Sequence, residues 1–450
     1  MSDSSIVLPR MPRRSMGLKL LLVCALALVM AIPALFVFAL LMDRTHRADQ
    51  VTGEVSRLLG GPQTFLGPVI AVPYQTPPPA AGQPMGKGVY IIFPARGEAT
   101  ASAASEVRNR SLFRVPVYRA DLDFKADFDL TGTPANAPDQ AVLDWNRAEM
   151  LVGVSDPRGA QSDILLTVAG KALQAAPASA MAERASSDQP LKFFGAGVGG
   201  MVTPGSRFAV EARLKFSGAQ RLAILPWGKT TTLQVKSDWP DPSFDGGFLP
   251  VTKQLGAKGF TAAWSVPFVA RGVPAEGTQE VLSRLDAGAL GVSFVDPANP
   301  YQSVARSLKY ALLFVGLVFL AYFLFETMTR RRVHPAQYVL IGLAQIIFYL
   351  LLLSIAEQVG FDWAFLAAAG ATVTLISAYA GWVFESRKQG VIAFVAFTLL
   401  YALIYILMRL EDFALLVGAV ASFAAITAVM YFTRKIDWYG VTDASSRGAA

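Results

Sequence analysis

Apolar residues in this chain gather into runs of two kinds, and the two kinds occupy different parts of it. A helix needs about 20 apolar residues to cross roughly 30 Å of hydrocarbon. Six runs reach that length: Leu20 to Met42, Tyr310 to Thr329, Pro335 to Ala356, Trp363 to Phe384, Gln389 to Met408 and Phe413 to Thr433. Each is expected to be a transmembrane helix. The first is too long for a signal-peptide core, and its exit through Leu41, Met42, Asp43 and Arg44 offers no small-residue cleavage site. It reads as a retained anchor that Pro33 kinks mildly.

Residues 43–306, between the first two runs, alternate instead. From Val115 to Leu130 the residues Tyr118, Ala120, Leu122, Phe124, Ala126, Phe128 and Leu130 fall on one face and the charges on the other, the period of a half-buried strand. Similar alternation recurs at Phe208 to Phe216, Thr230 to Val235, Phe260 to Val269 and Ala289 to Val295. Pro, Gly and Asp turns at irregular spacing separate these stretches, which favours an antiparallel sandwich or barrel-like sheet over a parallel α/β domain. Two helices are expected here, Ala48 to Leu59 as a continuation of the first membrane helix and Thr278 to Ala287. Gln75 to Gly88 and Ala172 to Gln189 read as exposed loops. The expected fold class is a polytopic α-helical membrane protein with six transmembrane helices and a large, mainly antiparallel β domain inserted after the first.

Charge then sets the orientation. Arg10, Arg13, Arg14, Lys19, Arg330, Arg331, Arg332, Arg387, Lys388, Arg434 and Lys435 all flank one side of the six runs, whereas the opposite short loops carry only Arg409. Short loops rich in Lys and Arg stay in the cytoplasm, so residues 1–19 and 434–450 are expected there and 43–306 outside, in the periplasm. Tyr310, Tyr338, Trp363, Trp382 and Trp438 fall near the expected interfaces, as aromatic belts do. The formal net charge of +7 is mostly orientation charge, because residues 43–306 hold 26 basic against 24 acidic side chains. The lipid bilayer is therefore the expected partner, and the near-neutral outer domain offers no clustered basic surface for nucleic acid.

Hydrophobic residues make up 53% of the 450 and charged ones 16%, far from the composition of soluble enzymes. Two histidines, His46 and His334, and one cysteine, Cys24, leave no multi-histidine metal site, disulfide framework or dithiol motif, and no cofactor is implied. The chain has no His-Glu-x-x-His, Gly-x-Ser-x-Gly, Ser-x-x-Lys or P-loop string. His334, beside three arginines at a helix start, suits contact with anionic lipid headgroups better than catalysis, and His46 at the membrane exit is expected to be solvated. Glu326 and Glu385 fall at the cytoplasmic ends of their helices, and Glu357 and Asp362 at the outer ends. The helix centres hold only Gln345, Ser354, Thr372, Thr374 and Ser377, which read as helix-packing groups and make a proton-coupled pump hard to build.

The most unusual string runs from Ser237 to Pro250 and contains Asp238, Trp239, Pro240, Asp241, Pro242, Phe244, Asp245 and Phe248. Its prolines remove backbone donors, so it is expected to be a shaped loop rather than a helix or central strand. Three readings stay open: a structural corner packing the aromatics, a recognition loop, and a calcium site of Asp238, Asp241 and Asp245, whose spacing fits no known cation loop.

These strings together resemble the CreD family. The resemblance is carried by Gly67 to Pro73, Ser237 to Phe244, Phe248 to Pro250, Phe325 to Thr327, His334 to Tyr338, Phe348 to Leu353 with Glu357, and Lys435 to Tyr439, spread along nearly the whole chain. It implies an inner-membrane protein of the Gram-negative envelope linked to stress, β-lactam response and colicin tolerance, with no catalytic residue to carry over. The expected function is accordingly a non-enzymatic envelope-integrity protein whose periplasmic domain binds or senses an envelope component, either another envelope protein or a cell-wall or lipid component. A transporter or flippase for a lipid-linked molecule and a periplasmic hydrolase are the alternatives. Nothing in the sequence fixes the oligomeric state.

Overall fold

The computed structural model describes residues 16–78, 85–110, 113–182, 191–295, 300–329, 333–409 and 414–434. It divides into two compact units, residues 1–47 with 298–450, and residues 48–297.

The first unit is helical. Helices α1 (Met16–Val29) and α2 (Ala31–Leu58) meet at Met30, where Pro33 has no N–H to give to Val29. The backbone bonds Met30 N to Leu26 O at 3.1 Å and Ala34 N to Met30 O at 3.2 Å carry the chain through, so Gly17–Leu58 runs on as one long helical span, apolar up to Met42 and polar beyond it. The stretch expected as Ala48 to Leu59 is the unbroken end of α2. Next in the chain come three short helices of the second unit, α3 (Ser179–Ala182), α4 (Phe268–Arg271) and α5 (Glu280–Ser283), and then α6 (Pro300–Lys309) of the first. After them α7 (Ala311–Thr329), α8 (Pro335–Val359), α9 (Phe361–Val383) and α10 (Arg387–Arg409) are each long and apolar enough to cross a membrane, making five such spans among the described residues. A last helix, Ala414–Thr433, adds 20 residues without a charge. The first helix packs on α7 and α8, α8 on α9, and α9 on α10.

The second unit is built from two sheets, and its register begins with the long strands. Strand β1 (Gln63–Thr76) is the spine of a ten-stranded sheet, with β2 (Gly86–Ile92) antiparallel to its second half. Strands β3 (Arg96–Arg110) and β4 (Phe113–Asp129) form the spine of an eight-stranded sheet, paired from Arg96 with Asp127 to Arg110 with Phe113. The next strands are β5 (Val142–Leu143), β6 (Glu149–Val154), β7 (Leu165–Val168), β8 (Lys171–Gln174), β9 (Ala176–Pro177), β10 (Lys192–Gly197) and β11 (Arg207–Ala219). After them come β12 (Arg221–Ile224), β13 (Thr230–Ser237), β14 (Pro242–Gly246), β15 (Thr252–Gly256), β16 (Gly259–Val266), β17 (Glu276–Thr278) and β18 (Leu290–Phe294). The larger sheet runs β14-β18-β12-β1-β6-β10-β9 with β2, β5 and β17 attached, and the smaller runs β15-β16-β13-β3-β4-β11-β7-β8. Pairing is mainly antiparallel; β1 with β12 and β3 with β13 are the parallel exceptions.

The inward faces share one core. In β4 every residue of the alternating face from Tyr118 to Phe128 is buried, and Leu130 just beyond it as well. Trp227 is fully buried against the strand glycines Gly67 and Gly97, with Phe124 edge-on at 5.2 Å. A Cβ at Gly67 would stand 2.4 Å from the indole, so only glycine leaves room for that ring.

Four expected elements differ. The strand at Phe260 stops at Val266 because Pro267 cannot continue the ladder, and Phe268–Arg271 becomes a short helix with Val269 92% exposed. Thr278 to Ala287 is no single helix but the end of β17, a four-residue turn of helix at Glu280–Ser283, and a 3₁₀ turn at Asp286–Gly288. The supposed loop at Ala172 carries β8, β9 and a helical turn at Ser179–Ala182, while residues 183–190 lie outside the described part. Of the loop expected from Gln75 to Gly88, residues through Thr76 and from Gly86 belong to β1 and β2, and 79–84 lie outside the described part.

Candidate functional site

The proline-rich string of the β unit is not one loop. Pro242–Gly246 is β14, an edge strand paired with β18 from Pro242 with Phe294 to Gly246 with Leu290. An edge position tolerates a proline without an inward N–H, which is how the string escapes the central-strand prohibition. The aromatics face inward. Trp239 is 7% exposed, lies edge-on to Phe294 at 6.1 Å, and donates its Nε1 to Asp241 O at 3.1 Å and Val295 O at 3.0 Å. Phe244 packs edge-on against Phe260 and Trp264, and Phe248 O accepts from Trp264 Nε1 at 3.0 Å.

The aspartates part company. Asp238 accepts from Ser105 N at 2.8 Å and Ser105 Oγ at 2.6 Å, tying the string to β3. Asp245 accepts from Arg221 Nε at 2.7 Å and from Ser293 Oγ, so it is an ion-paired strand residue. Asp241 is exposed, as is Pro240. Among the described residues no group of three or more His, Cys, Asp or Glu is placed to hold a metal ion.

Sequence reasoning missed a second cluster, inside the helical unit. Glu326, in the last turn of α7, is 3% exposed. Its carboxylate accepts from Lys19 Nζ of α1, from Val333 N at 2.9 Å and from Tyr338 OH at 3.1 Å, while Lys19 also donates to Val333 O at 3.0 Å. Lys19, expected only as an orientation charge, is thus a packing partner inside the helical unit. Tyr338, expected at an interface, is 1% exposed and belongs to this cluster. His334 is the N-cap of α8: its Nδ1 accepts from Ala336 N at 3.2 Å, and Gln337 Oε1 accepts from His334 N at 2.9 Å. That reciprocal pair satisfies orphan donors of the first turn, and the His334 side chain stays exposed. At the far end of α8, Glu357 accepts from Tyr301 OH at 3.0 Å and lies 3.9 Å from Arg44 Nη1. Between these ends buried Gln345 Oε1, and on α9 buried Ser377 Oγ, have no hydrogen-bond partner among the described residues.

Of the remaining orientation residues, Arg387 and Lys388 are exposed at the start of α10, and Arg434 lies over the Tyr431 ring at 4.3 Å. Arg13, Arg14, Arg330, Arg331, Arg332 and Lys435 are outside the described residues. The β unit holds one unexpected cation. Arg271 is 6% exposed, 4.2 Å over the Phe93 ring, and donates to Trp227 O at 3.3 Å and Pro274 O at 2.8 Å. Burial alone pushes its guanidinium down to about 10.

The profile of the family described as "Inner membrane protein CreD" matches residues 15–439. The chain belongs to the CreD family. Inner membrane protein CreD of Escherichia coli (strain K12) is 29% identical to it over 427 residues, which is 92% of this chain and 91% of that relative. With its apolar spans, this CreD-family chain is a membrane protein. Two strings that carried the resemblance, Phe325 to Thr327 and His334 to Tyr338, meet at Glu326, and a third supplies Glu357 at the other end of α8.

Proposed function

We propose that the chain is a six-span protein of the bacterial inner membrane with both termini in the cytoplasm, and that residues 48–297 form a periplasmic domain that binds or senses an envelope component. It acts without catalysis, the helices anchoring or coupling that domain. The reading rests above all on the separation of an apolar helical unit from a β unit large enough to hold its own core. The basic asymmetry supports the orientation, Arg434 standing at one end of the last helix and Arg387 and Lys388 at the start of α10.

The experiment is complementation of a strain lacking the gene with a variant in which 53–293 is replaced by a short flexible linker. Normal insertion with loss of envelope-stress resistance is expected; restored resistance would overturn the reading. Reporter fusions after Lys435 and within 53–293 check the orientation, with cytoplasmic and periplasmic signals expected in that order.

The buried Glu326 and the unpartnered Gln345 Oε1 and Ser377 Oγ favour one second reading, a transporter for a lipid-linked envelope molecule, since polar groups are costly inside a bilayer. Restored resistance by the linker variant, together with failure of Glu326→Gln, would transfer support to it.

A further inference from the structure

The β unit contains a cavity that neither the proline-rich string nor the helical cluster uses. It occupies about 360 Å³ where the end of β1 pairs with β2 on one side and with β5 on the other. Tyr74 stands opposite Gly88 in that ladder, and a Cβ at Gly88 would come within 2.2 Å of the Tyr74 ring. The tip of the ring therefore lies close against the Gly88 backbone, and the residue lines the cavity. Gln75, Lys87, Asp144 and Arg147 line the same space, and each of the last three is exposed.

The charges here differ from those on the open face of the smaller sheet. There Arg207 pairs with Asp129, Arg213 with Asp123 and Lys215 with Asp121. Lys87, Arg147 and Asp144 make no ion pair with one another or with any other described residue. Two cations and one carboxylate beside an aromatic plate match a particular chemistry. The C–H face of a sugar ring packs on a tyrosine, Asp144 and Gln75 can take its hydroxyl or amide hydrogens, and a guanidinium with an ammonium suits an acidic substituent.

We propose that this cavity binds an anionic sugar, a hexose or hexosamine ring bearing a carboxylate or a phosphate. The proposal deepens the envelope-binding reading and rests on it. Cell-wall glycan supplies the carboxylate form and glycolipid headgroups the phosphate form.

The test uses the full chain in lipid nanodiscs and three soluble probes of equal length. These are the N-acetylglucosamine disaccharide, the disaccharide of N-acetylglucosamine with N-acetylmuramic acid, and a glucosamine disaccharide phosphate without acyl chains. At least one anionic probe should bind about 10-fold more tightly than the neutral one, a preference that falls with added salt. Cell-wall glycan is the source if the muramic probe leads, and a lipid headgroup if the phosphate leads. Lys87→Ala with Arg147→Ala should erase the preference, and Tyr74→Ala should weaken all probes alike by about 10-fold. Lys87→Gln with Arg147→Gln, which keep side-chain bulk, should match the alanine pair and so exclude misfolding as the cause. Equal binding of the three probes, an unchanged preference in the double variants, or binding only of a sugar-free wall peptide would overturn the sugar site. If no probe binds while the 53–293 replacement still abolishes stress resistance, the sugar site falls and the broader reading stands. If that replacement restores resistance, the broader reading falls whatever the probes do.

Discussion

The two units treat charge in opposite ways. On the β unit, cross-strand pairs such as Arg213 with Asp123 at 3.6 Å and Lys215 with Asp121 at 3.6 Å lie on a solvent face, every member more than half exposed. Pairs of that kind contribute about 0–1 kcal/mol each and mainly keep the face wet and the register unique. Stability there comes from the aromatic core around Trp227 and Phe124. In the helical unit the surroundings are as apolar as the helix surfaces, so burial of leucine gives little drive to dock one helix on another. A satisfied polar contact then counts for more. Lys19 reaches Glu326 across 307 positions of sequence and fixes α1 against α7 and α8. The same residue type decorates one unit and fastens the other.

The largest effect expected follows from removing one partner of that buried pair. Glu326→Ala leaves Lys19, Val333 N and Tyr338 OH facing an empty site, and breaking a buried pair one-sidedly costs about 3–5 kcal/mol. The thermal midpoint of the helical unit in nanodiscs should fall accordingly. Lys19→Met combined with Glu326→Met should recover most of the loss, because no charge is left unpaired. On the β unit, Lys215→Ala should move the midpoint by less than about 0.5 kcal/mol. Equal effects from Glu326→Ala and Lys215→Ala would erase the contrast.

Next in size is Trp239→Ala. It removes a ring that is 7% exposed and holds two carbonyls, so a loss of about 3 kcal/mol from the β unit is expected. The aspartates of the same string then separate by their partners. Asp245→Ala orphans Arg221, yet both side chains are about one-third exposed, so the loss should be near 1 kcal/mol. Asp241→Ala, at an exposed position, should stay within about 0.5 kcal/mol. An Asp241 variant that keeps its stability but fails in complementation would revive the recognition reading for this string.

How much of this was legible depends on the distance over which each pattern acts. Strand β4 declares itself because its period of two is written in adjacent residues and one face meets water. Strand β1 does not, since Phe65 to Val72 are buried on both faces and show no alternation. Strand β3 hides for another reason: its inward residues are Ala99, Ala101 and Ala103, too small to stand out from the Ser and Thr between them. The aromatics of the proline-rich string were readable as packing groups. The Glu326 cluster was not, because nothing local connects Lys19 to Glu326, although a glutamate one turn before the end of an apolar helix and a Tyr in the first turn of the next were a signal that could have been followed.

The smallest effect tests whether an exposed charge on the β unit owes its state to its ion pair or to its own turn. Asp129, at the end of β4, is partly exposed, and its carboxyl is held at about 2 against an ordinary 3.8. The hydroxyl of Thr131 contributes most, then Thr131 N at 3.0 Å, and Arg207 less, although its Nε is also 3.0 Å away. A carboxyl lowered in the folded state binds fewer protons there than in the unfolded chain. Its stabilisation is therefore complete above the ordinary value and is lost as pH falls from about 4 through about 2. The midpoint difference between the wild-type chain and Asp129→Asn should shrink over that window and vanish below it. Thr131→Val should flatten the profile more than Arg207→Met does. High salt should remove the Arg207 share and leave the Thr131 share, since screening acts on exposed charges across solvent and hardly on a hydrogen bond within a turn. A larger effect from Arg207→Met, abolished by salt, would mean that the exposed ion pair outranks the local turn, and the solvent face would then need to be counted among the forces that hold the β unit together.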